Sequence, residues 1–151
     1  MIITFCGHAL FSKSEECEHE LLSFLEKTVG DEPADMYLGG YGAFDIFSYE
    51  CCEKYKKTHP NVSLIFVTPY VIMNNSEERL YFNGRKYDCI LYPELEGRPL
   101  KYAISYRNRY MVDVADYVIA YIDHDWGGAY QTYKYAKRKK KPLLNLSGKV
   151  F

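Results

Sequence analysis

The chain lacks the features that mark several large classes of protein. Its formal net charge is −1 over 151 residues, so it has no overall basic excess of the kind that duplex-DNA-binding proteins carry. No apolar run approaches the ~20 residues of a membrane-spanning helix, and no basic segment with a signal-like apolar stretch opens the chain. We therefore predict a cytoplasmic protein with no membrane partner, and we keep nucleic acid open as a ligand without favouring it.

The cysteines and histidines show no metal-binding or disulfide pattern. The chain has five cysteines, an odd number, and none are spaced Cys-x-x-Cys. The four histidines share no metal-like spacing. His124, in the segment Asp123-His124-Asp125-Trp126 beside the predicted site, is either a catalytic group or a loop residue that contacts ligand or solvent, and we favour the loop residue. We predict small buried cysteines, no metal and no resident cofactor.

What the chain does contain is typical of one folded domain. Hydrophobic residues make up 48% and charged residues 26%, close to ordinary globular usage. The length fits a single domain over residues 1–151. Aromatic residues reach 17%, with 16 tyrosines. Many of these must be half-buried, because a fully buried hydroxyl needs a hydrogen-bond partner.

Short apolar runs alternate with amphipathic segments along the chain. The alternation predicts an α/β fold with a mostly parallel sheet and right-handed crossovers. Residues 69–87 contain Pro69, Asn74-Asn75 and Asn83-Gly84, fit neither pattern, and form either a lid or an unrecognised element. The predicted strands are 1–6, 35–38, 62–67, 88–91, 117–121 and 142–145; the predicted helices run from the Ser12-x-x-Glu15 capping box to Gly30, over 42–58, over 99–112 and onward from Gly127-Gly128.

Three predicted strand ends carry glycine. Gly7-His8 follows the first strand, Gly39-Gly40-Tyr41-Gly42 the second, and Gly127-Gly128 the strand at 117–121. Ligands of parallel sheets bind beyond the carboxyl ends of the strands. There, glycine lets a phosphate approach peptide N–H groups, and a helix N-terminus adds partial positive charge. Each segment alone also fits a plain turn or helix start, but together they predict one phosphate-binding edge.

Several polar residues stand near this predicted edge. Asp45, in the first turn of the second helix, is either a helix cap or a ligand and acid–base group. Thr132 lies one turn into the last long helix. Arg107, followed by Asn108, could bind a phosphate bidentately, with a solvated helix face as the alternative. The basic run Lys137–Lys141 is either a solvated helix end or a phosphate or nucleic-acid patch.

Taken in order, these segments resemble the SLOG superfamily, a Rossmann-like group named after the DprA/Smf and LOG proteins, and within it the small YpsA-like branch. The resemblance covers about residues 1–146. Its specific part is the Arg-Asn…Asp segment with a downstream Gly-Gly. The matching segments are Gly39–Asp45, His59-Pro60, Val62–Val67, Pro69-Tyr70, Arg107–Asp113 and Gly127-Gly128 with Thr132.

The resemblance implies a Rossmann-like three-layer sandwich that binds nucleotides or nucleotide-derived ligands such as ADP-ribose. It adds Asp113 to the candidate ligand-binding residues, and it implies a homodimer, because LOG-like relatives pair through helices. The LOG pattern Pro-Gly-Gly-x-Gly-Thr-x-x-Glu is incomplete here. Leu38, Ala43 and Ile46 stand at its Pro, Thr and Glu positions, and Asp45 is one position from the missing carboxylate.

Three functions remain open. We predict first the binding or sensing of a nucleotide-derived small molecule, whose phosphates meet the glycine loops and Arg107 while Asp45 meets a ribose hydroxyl. The second is an N-glycosidase acting on a nucleoside monophosphate, with Asp45 as the candidate catalytic group. The third is single-stranded nucleic-acid binding through the basic run and exposed tyrosines. The candidate ligand-binding residues are Gly7, His8, Gly39, Gly40, Gly42, Asp45, Arg107, Asn108, Asp113, Gly127, Gly128 and Thr132.

Overall fold

The computed structural model describes residues 1–71 and 80–151 and shows strands alternating with helices. The strands are β1 (Ile2–Gly7), β2 (Ala34–Leu38), β3 (Val62–Val67), β4 (Tyr81–Phe82), β5 (Arg85–Lys86), β6 (Cys89–Leu91), β7 (Tyr117–Tyr121) and β8 (Leu143–Asn145). The helices are α1 (Glu15–Thr28), α2 (Ala43–Lys56), α3 (Ala103–Val114) and α4 (Gly128–Arg138), with a 3₁₀ turn over Leu100–Tyr102 leading into α3.

The centre of the molecule is a six-stranded sheet in the order β6-β3-β2-β1-β7-β8. Every pairing in it is parallel, which confirms the predicted sheet type. The chain moves outward on one side of β1 through β2 and β3, and on the other side through β7 and β8. Because the direction of winding reverses between β1 and β7, a crevice opens there beyond the carboxyl ends of the strands.

Helices cover both faces of the sheet and complete a three-layer sandwich. Alternate side chains of β1 point to opposite faces. Ile3 and Phe5 join the core cluster that includes α1 and α2, whereas Cys6 joins the cluster beneath α4. Burial of this apolar surface at about 25 cal/mol per Å² supplies most of the driving force for folding. The predicted Rossmann-like architecture is therefore confirmed.

The start of α1 differs from the predicted capping box. Ser14, not Ser12, is the N-cap, because its hydroxyl oxygen accepts a hydrogen bond from the Cys17 backbone N–H at 3.1 Å. Glu15, Glu16 and Glu18 then place negative charge in the first turn, where the helix dipole favours it. The prediction that began the helix motif at Ser12 is wrong by two residues.

Part of the segment 69–87 is an element that the sequence patterns missed. β4 and β5 form an antiparallel hairpin whose turn residues, Asn83 and Gly84, have φ values of 49° and 76°. That backbone suits a two-residue hairpin turn. The Phe82 ring stacks on Phe66 of β3 at 4.5 Å between centroids, which packs the hairpin against the carboxyl end of β3. Asn74-Asn75 lies outside the described residues.

The structure also bears on the expected burial of the cysteines and on whether any helix could span a membrane. All five cysteines are free, and Cys6, Cys51 and Cys52 are buried as predicted, whereas Cys89 is exposed. None of the helices in residues 1–71 and 80–151 combines the length and apolar content that a bilayer crossing requires.

Candidate functional site

A cavity of about 500 Å³ lies at the crevice between β1 and β7. Its walls come from the loops that follow β1, β2 and β7, and from α3, which passes across the same edge. Nine of the twelve candidate residues line it, so the glycine-bearing strand ends do meet at one place. These nine are Gly7, His8, Gly39, Asp45, Arg107, Asn108, Gly127, Gly128 and Thr132.

Three candidate residues, Gly40, Gly42 and Asp113, do not line the cavity. Gly40 has φ +79°, and a Cβ there would lie 2.1 Å from the Phe66 ring, so glycine is needed for close packing against β3. Gly42 precedes α2 as its N-cap. Asp113 is exposed near the end of α3, and its Oδ1 accepts a hydrogen bond from the Tyr135 hydroxyl at 2.7 Å. These residues shape and support the site without facing it.

Arg107 crosses the floor of the cavity from α3 and is 2% exposed. Its Nη1 donates to the Gly39 carbonyl at 2.9 Å and to the Val67 carbonyl at 2.6 Å. Its Nε donates to the Asn108 side-chain oxygen at 2.9 Å. The guanidinium thus joins the ends of β2 and β3 to α3, and the alternative of a solvated helix face is wrong for this residue.

Asp45 lies beside Arg107 at the base of the glycine loop. Its Oδ2 accepts a hydrogen bond from the Tyr41 backbone N–H at 2.8 Å. Part of the side chain is accessible, yet the carboxylate is surrounded by protein, and this burial raises its pKa to about 7. The positive charge of Arg107 and the Tyr41 hydrogen bond oppose that rise without cancelling it.

Arg107 and Asp45 place one cation and one carboxyl group in the floor of the cavity. Burial lowers the pKa of Arg107 from its usual range, but a guanidinium stays protonated in proteins. Burial raises the pKa of Asp45 to about 7, so its carboxyl group holds a proton more readily than an exposed aspartate does. A negatively charged ligand group would complete the neutralisation of Arg107.

On the opposite wall, two histidine rings stack against each other. His8, which is 6% exposed, lies parallel to His124 with 3.5 Å between ring centroids. The His8 Nε2 accepts from the Asp123 backbone N–H at 3.2 Å, and the His124 Nδ1 lies 2.6 Å from Asp123 Oδ1. Burial, followed by the proximity of His124, lowers the pKa of His8.

These three side chains are also the group most suited to hold a metal in the described residues. One ligand atom from each of His8, Asp123 and His124 lies within 4.8 Å of the others. However, the two rings are only 10° from parallel, so their in-plane lone pairs point side by side and do not converge on one ion. Binding a metal would require one ring to rotate out of the stack.

Two aromatic residues that the sequence reasoning did not select also line the cavity. Tyr41 lies with its ring centre 5.4 Å from the Arg107 guanidinium. Trp126 is 65% exposed, and its ring lies 3.8 Å from His124. Each stands directly next to a glycine at a predicted strand end, and this adjacency was the available signal. Both offer flat surfaces on which a base could stack.

The start of α4 is open toward the cavity. Gly127 has φ +93°, and a Cβ built at Gly127 or Gly128 would meet no atom within 4 Å. No side chain caps this helix. Its first backbone N–H groups and the positive end of its dipole are therefore available to an anion, as in many phosphate sites.

Comparisons with known proteins identify the fold. No family model and no curated protein matches the chain. A solved structure of DNA processing protein A from Helicobacter pylori, reported for its single-stranded DNA binding mode, is similar with a TM-score of 0.58 and 19% sequence identity. The similarity covers 95% of this chain and 63% of that chain. It shows a shared Rossmann-like fold, while membership of the SLOG superfamily and of its YpsA-like branch stays a prediction.

Proposed function

We propose that the central cavity binds a nucleotide or a nucleotide-derived small molecule. The observation that carries this proposal is the buried Arg107, which lies 2% exposed in the floor of the cavity beside Asp45, a carboxyl group whose pKa is raised by burial. A buried cation without full neutralisation favours an anionic ligand. The open N-terminus of α4 lines the same cavity and favours phosphate as that anion.

The other lining residues suit the remaining parts of a nucleotide. Asp45 is placed to accept a hydrogen bond from a ribose hydroxyl, and Tyr41 and Trp126 offer surfaces for the base. The cavity volume of about 500 Å³ lies within the ~300–1,000 Å³ range of small-molecule sites. We place the phosphates between Gly39, Arg107 and the start of α4.

The first experiment identifies the ligand and tests its placement. Mass spectrometry of small molecules that co-purify with the protein is followed by calorimetry with AMP, ADP-ribose, NAD and cyclic AMP. Gly128→Asp places a carboxylate where we expect the phosphate, and Gly128→Asn is the neutral control of equal size. Since a Cβ at Gly128 meets no atom within 4 Å, both variants should fold.

We expect Gly128→Asp to weaken binding at least about tenfold, roughly 1.4 kcal/mol, and Gly128→Asn to weaken it much less. If none of the four compounds binds and none co-purifies, the proposal is wrong. Equal weakening by both variants would instead place the phosphate away from α4.

A second function is favoured by one observation, the raised pKa of Asp45. A carboxyl group with a pKa of about 7 can act as a general acid or base at neutral pH. An N-glycosidase would use it to activate water or stabilise charge at the ribose. To test this function, the protein is incubated with nucleoside monophosphates and free base is measured by chromatography. Asp45→Asn should abolish any release of free base. If no nucleoside monophosphate yields free base, the N-glycosidase function is wrong and the protein binds its ligand without turning it over.

A further inference from the structure

The β4–β5 hairpin contacts the loop over residues 39–42 through Arg85, and we call that loop the glycine loop. The Arg85 Nη2 donates a hydrogen bond to the Gly40 carbonyl at 3.0 Å, although the two residues are 45 positions apart in the sequence. Arg85 is the first residue of β5, so it belongs to the hairpin that the sequence patterns missed. The contact joins this hairpin to the loop that follows β2.

The same peptide group is held at its other end by Asp45. The Gly40 carbonyl and the Tyr41 N–H belong to one peptide unit, and that N–H donates to Asp45 Oδ2 at 2.8 Å. A cation on the carbonyl and a carboxylate on the N–H polarise the peptide in the same direction, so each hydrogen bond strengthens the other. The positive charge of Arg85 also acts on Asp45, because it is one of the influences that lower the pKa of this carboxyl group against the effect of burial.

A second guanidinium holds the preceding peptide of the glycine loop. The Arg107 Nη1 donates to the Gly39 carbonyl at 2.9 Å. Two arginines from different elements therefore bind consecutive carbonyls. Glycine lets a peptide unit rotate at little steric cost, and Gly40 has φ +79°. The two guanidinium groups offset this freedom and fix the orientation of both peptides.

The hairpin also contacts the side chain of Tyr41. The Phe82 ring packs against the Tyr41 ring at 5.2 Å between centroids and an interplanar angle of 67°, which is an edge-to-face contact. Tyr41 lines the central cavity, whereas Arg85 does not. The hairpin therefore supports a residue of the cavity from behind, through its backbone and through its ring.

Arg85 is itself fixed by its neighbours. Its Nε donates to the Tyr87 hydroxyl at 3.4 Å, and its guanidinium lies 5.8 Å from the Phe82 ring centre and 6.0 Å from that of Tyr49. These contacts limit the rotamers of the side chain. The planar guanidinium can bind Gly40 and Tyr87 at once through different nitrogens, whereas lysine has a single nitrogen and cannot reproduce both bonds.

We propose that Arg85 is a positioning residue of the central cavity, which fixes the Gly40–Tyr41 peptide and, with Phe82, holds the Tyr41 ring where the base of the ligand binds. This proposal rests on the proposed function of the cavity. It assigns part of the ligand affinity to a residue that does not touch the ligand.

The first test needs no ligand and measures hydrogen exchange of the Tyr41 amide by NMR. The control for Arg85→Gln is Lys86→Gln, because Lys86 is the next residue in β5 and its ammonium lies over the Tyr81 ring at 5.9 Å. We expect Tyr41 exchange to accelerate at least about tenfold in Arg85→Gln and less than about twofold in the control, with unchanged rates in β1–β3. Unchanged Tyr41 exchange in Arg85→Gln would overturn the proposal, and equal acceleration throughout β3 would assign Arg85 a purely structural role.

The second test separates the charge of Arg85 from its geometry. NMR titration of the Asp45 carboxyl group should give a higher pKa in Arg85→Gln than in the wild type, because a nearby positive charge is lost. Arg85→Lys keeps the charge, so it should leave this pKa nearly unchanged while it restores Tyr41 protection only in part. An Asp45 pKa that does not respond to Arg85→Gln would contradict the electrostatic link through the peptide.

The third test measures the Kd values of AMP and ADP-ribose by calorimetry. We expect Arg85→Gln to raise the Kd of the compound that binds at least about fivefold, roughly 1 kcal/mol, and Lys86→Gln to change it less than about twofold. Unchanged affinity in Arg85→Gln, despite faster Tyr41 exchange, would overturn the role of Arg85 in ligand binding. If the wild type binds neither compound while Tyr41 and Asp45 respond as expected, the failure lies with the proposed function and not with the link between Arg85 and the glycine loop.

Discussion

Asp45 is a residue whose ionisation opposes folding. Its pKa of about 7 in the folded chain exceeds the ~3.9 of an unfolded aspartate. The folded state therefore binds the proton more tightly, and this stabilisation is full below about pH 4 and is lost as the pH rises through about 7. Asp45→Asn resembles the protonated form and should remove that dependence.

We expect the free energy of unfolding of the wild type to fall, relative to Asp45→Asn, by roughly 2–4 kcal/mol between pH 4 and pH 8. Urea denaturation of both proteins at four pH values measures this difference in the free energy of unfolding. Parallel pH profiles for the two proteins would contradict a raised pKa at this position.

The ionisation of His8 makes the free energy of unfolding depend on pH in the opposite direction. Burial and the adjacent His124 lower its pKa below the ~6.5 of an unfolded histidine. The unfolded chain therefore takes up a proton that the folded chain resists, so stability is present above about pH 6.5 and falls as the pH drops through the lowered pKa. NMR titration of the His8 ring should give a midpoint below 6.5, and His8→Gln should lose less stability on acidification. A midpoint above 6.5 would show that attraction by Asp123 outweighs burial.

At the scale of elements, the sequence patterns were most informative where one physical signal dominated. The apolar runs 62–67 and 117–121 coincide with β3 and β7 because strands covered on both faces need continuous hydrophobic sequence. The β4–β5 hairpin was missed because its two-residue strands are too short to show a period. The start of α1 was misplaced because two serines lie within three residues, and only the backbone geometry selects between them.

The capping of α1 can be tested with a matched pair of serines. Ser14 accepts the Cys17 N–H, and loss of an N-cap hydroxyl costs about 1 kcal/mol. We expect Ser14→Ala to lower the free energy of unfolding by that amount and Ser12→Ala to leave it nearly unchanged. Chemical denaturation of the two variants decides the assignment, and a larger effect at Ser12 would restore the capping box that begins there.

At the scale of the whole molecule, the candidate site joins segments from both halves of the chain. The rule that ligands meet the carboxyl ends of parallel strands brought three glycine segments to one predicted edge, and residues of all three line the central cavity. That a ligand binds there stays a prediction. The stacking of His8 on His124, and the burial of Arg107 under Gly39, could not be predicted, because each depends on residues more than 60 positions apart. The homodimer implied by the SLOG resemblance stays a prediction. Light scattering coupled to gel filtration tests it by measuring the molar mass in solution.

Because a ligand in the central cavity contacts the ends of β1, β2 and β7 together, it should stabilise the whole fold. A ligand at about 100 times its Kd adds about 2.7 kcal/mol to the free energy of unfolding. For a chain of this length that corresponds to an increase in Tm of roughly 5–10 °C. At the same ligand concentration a tenfold higher Kd leaves about 1.4 kcal/mol, so Gly128→Asp should reduce the increase to about half or less, while Gly128→Asn keeps most of it. If Tm rises as much in Gly128→Asp as in the wild type, the ligand binds elsewhere, because Gly128 lines the central cavity and an added carboxylate there would lie beside the ligand.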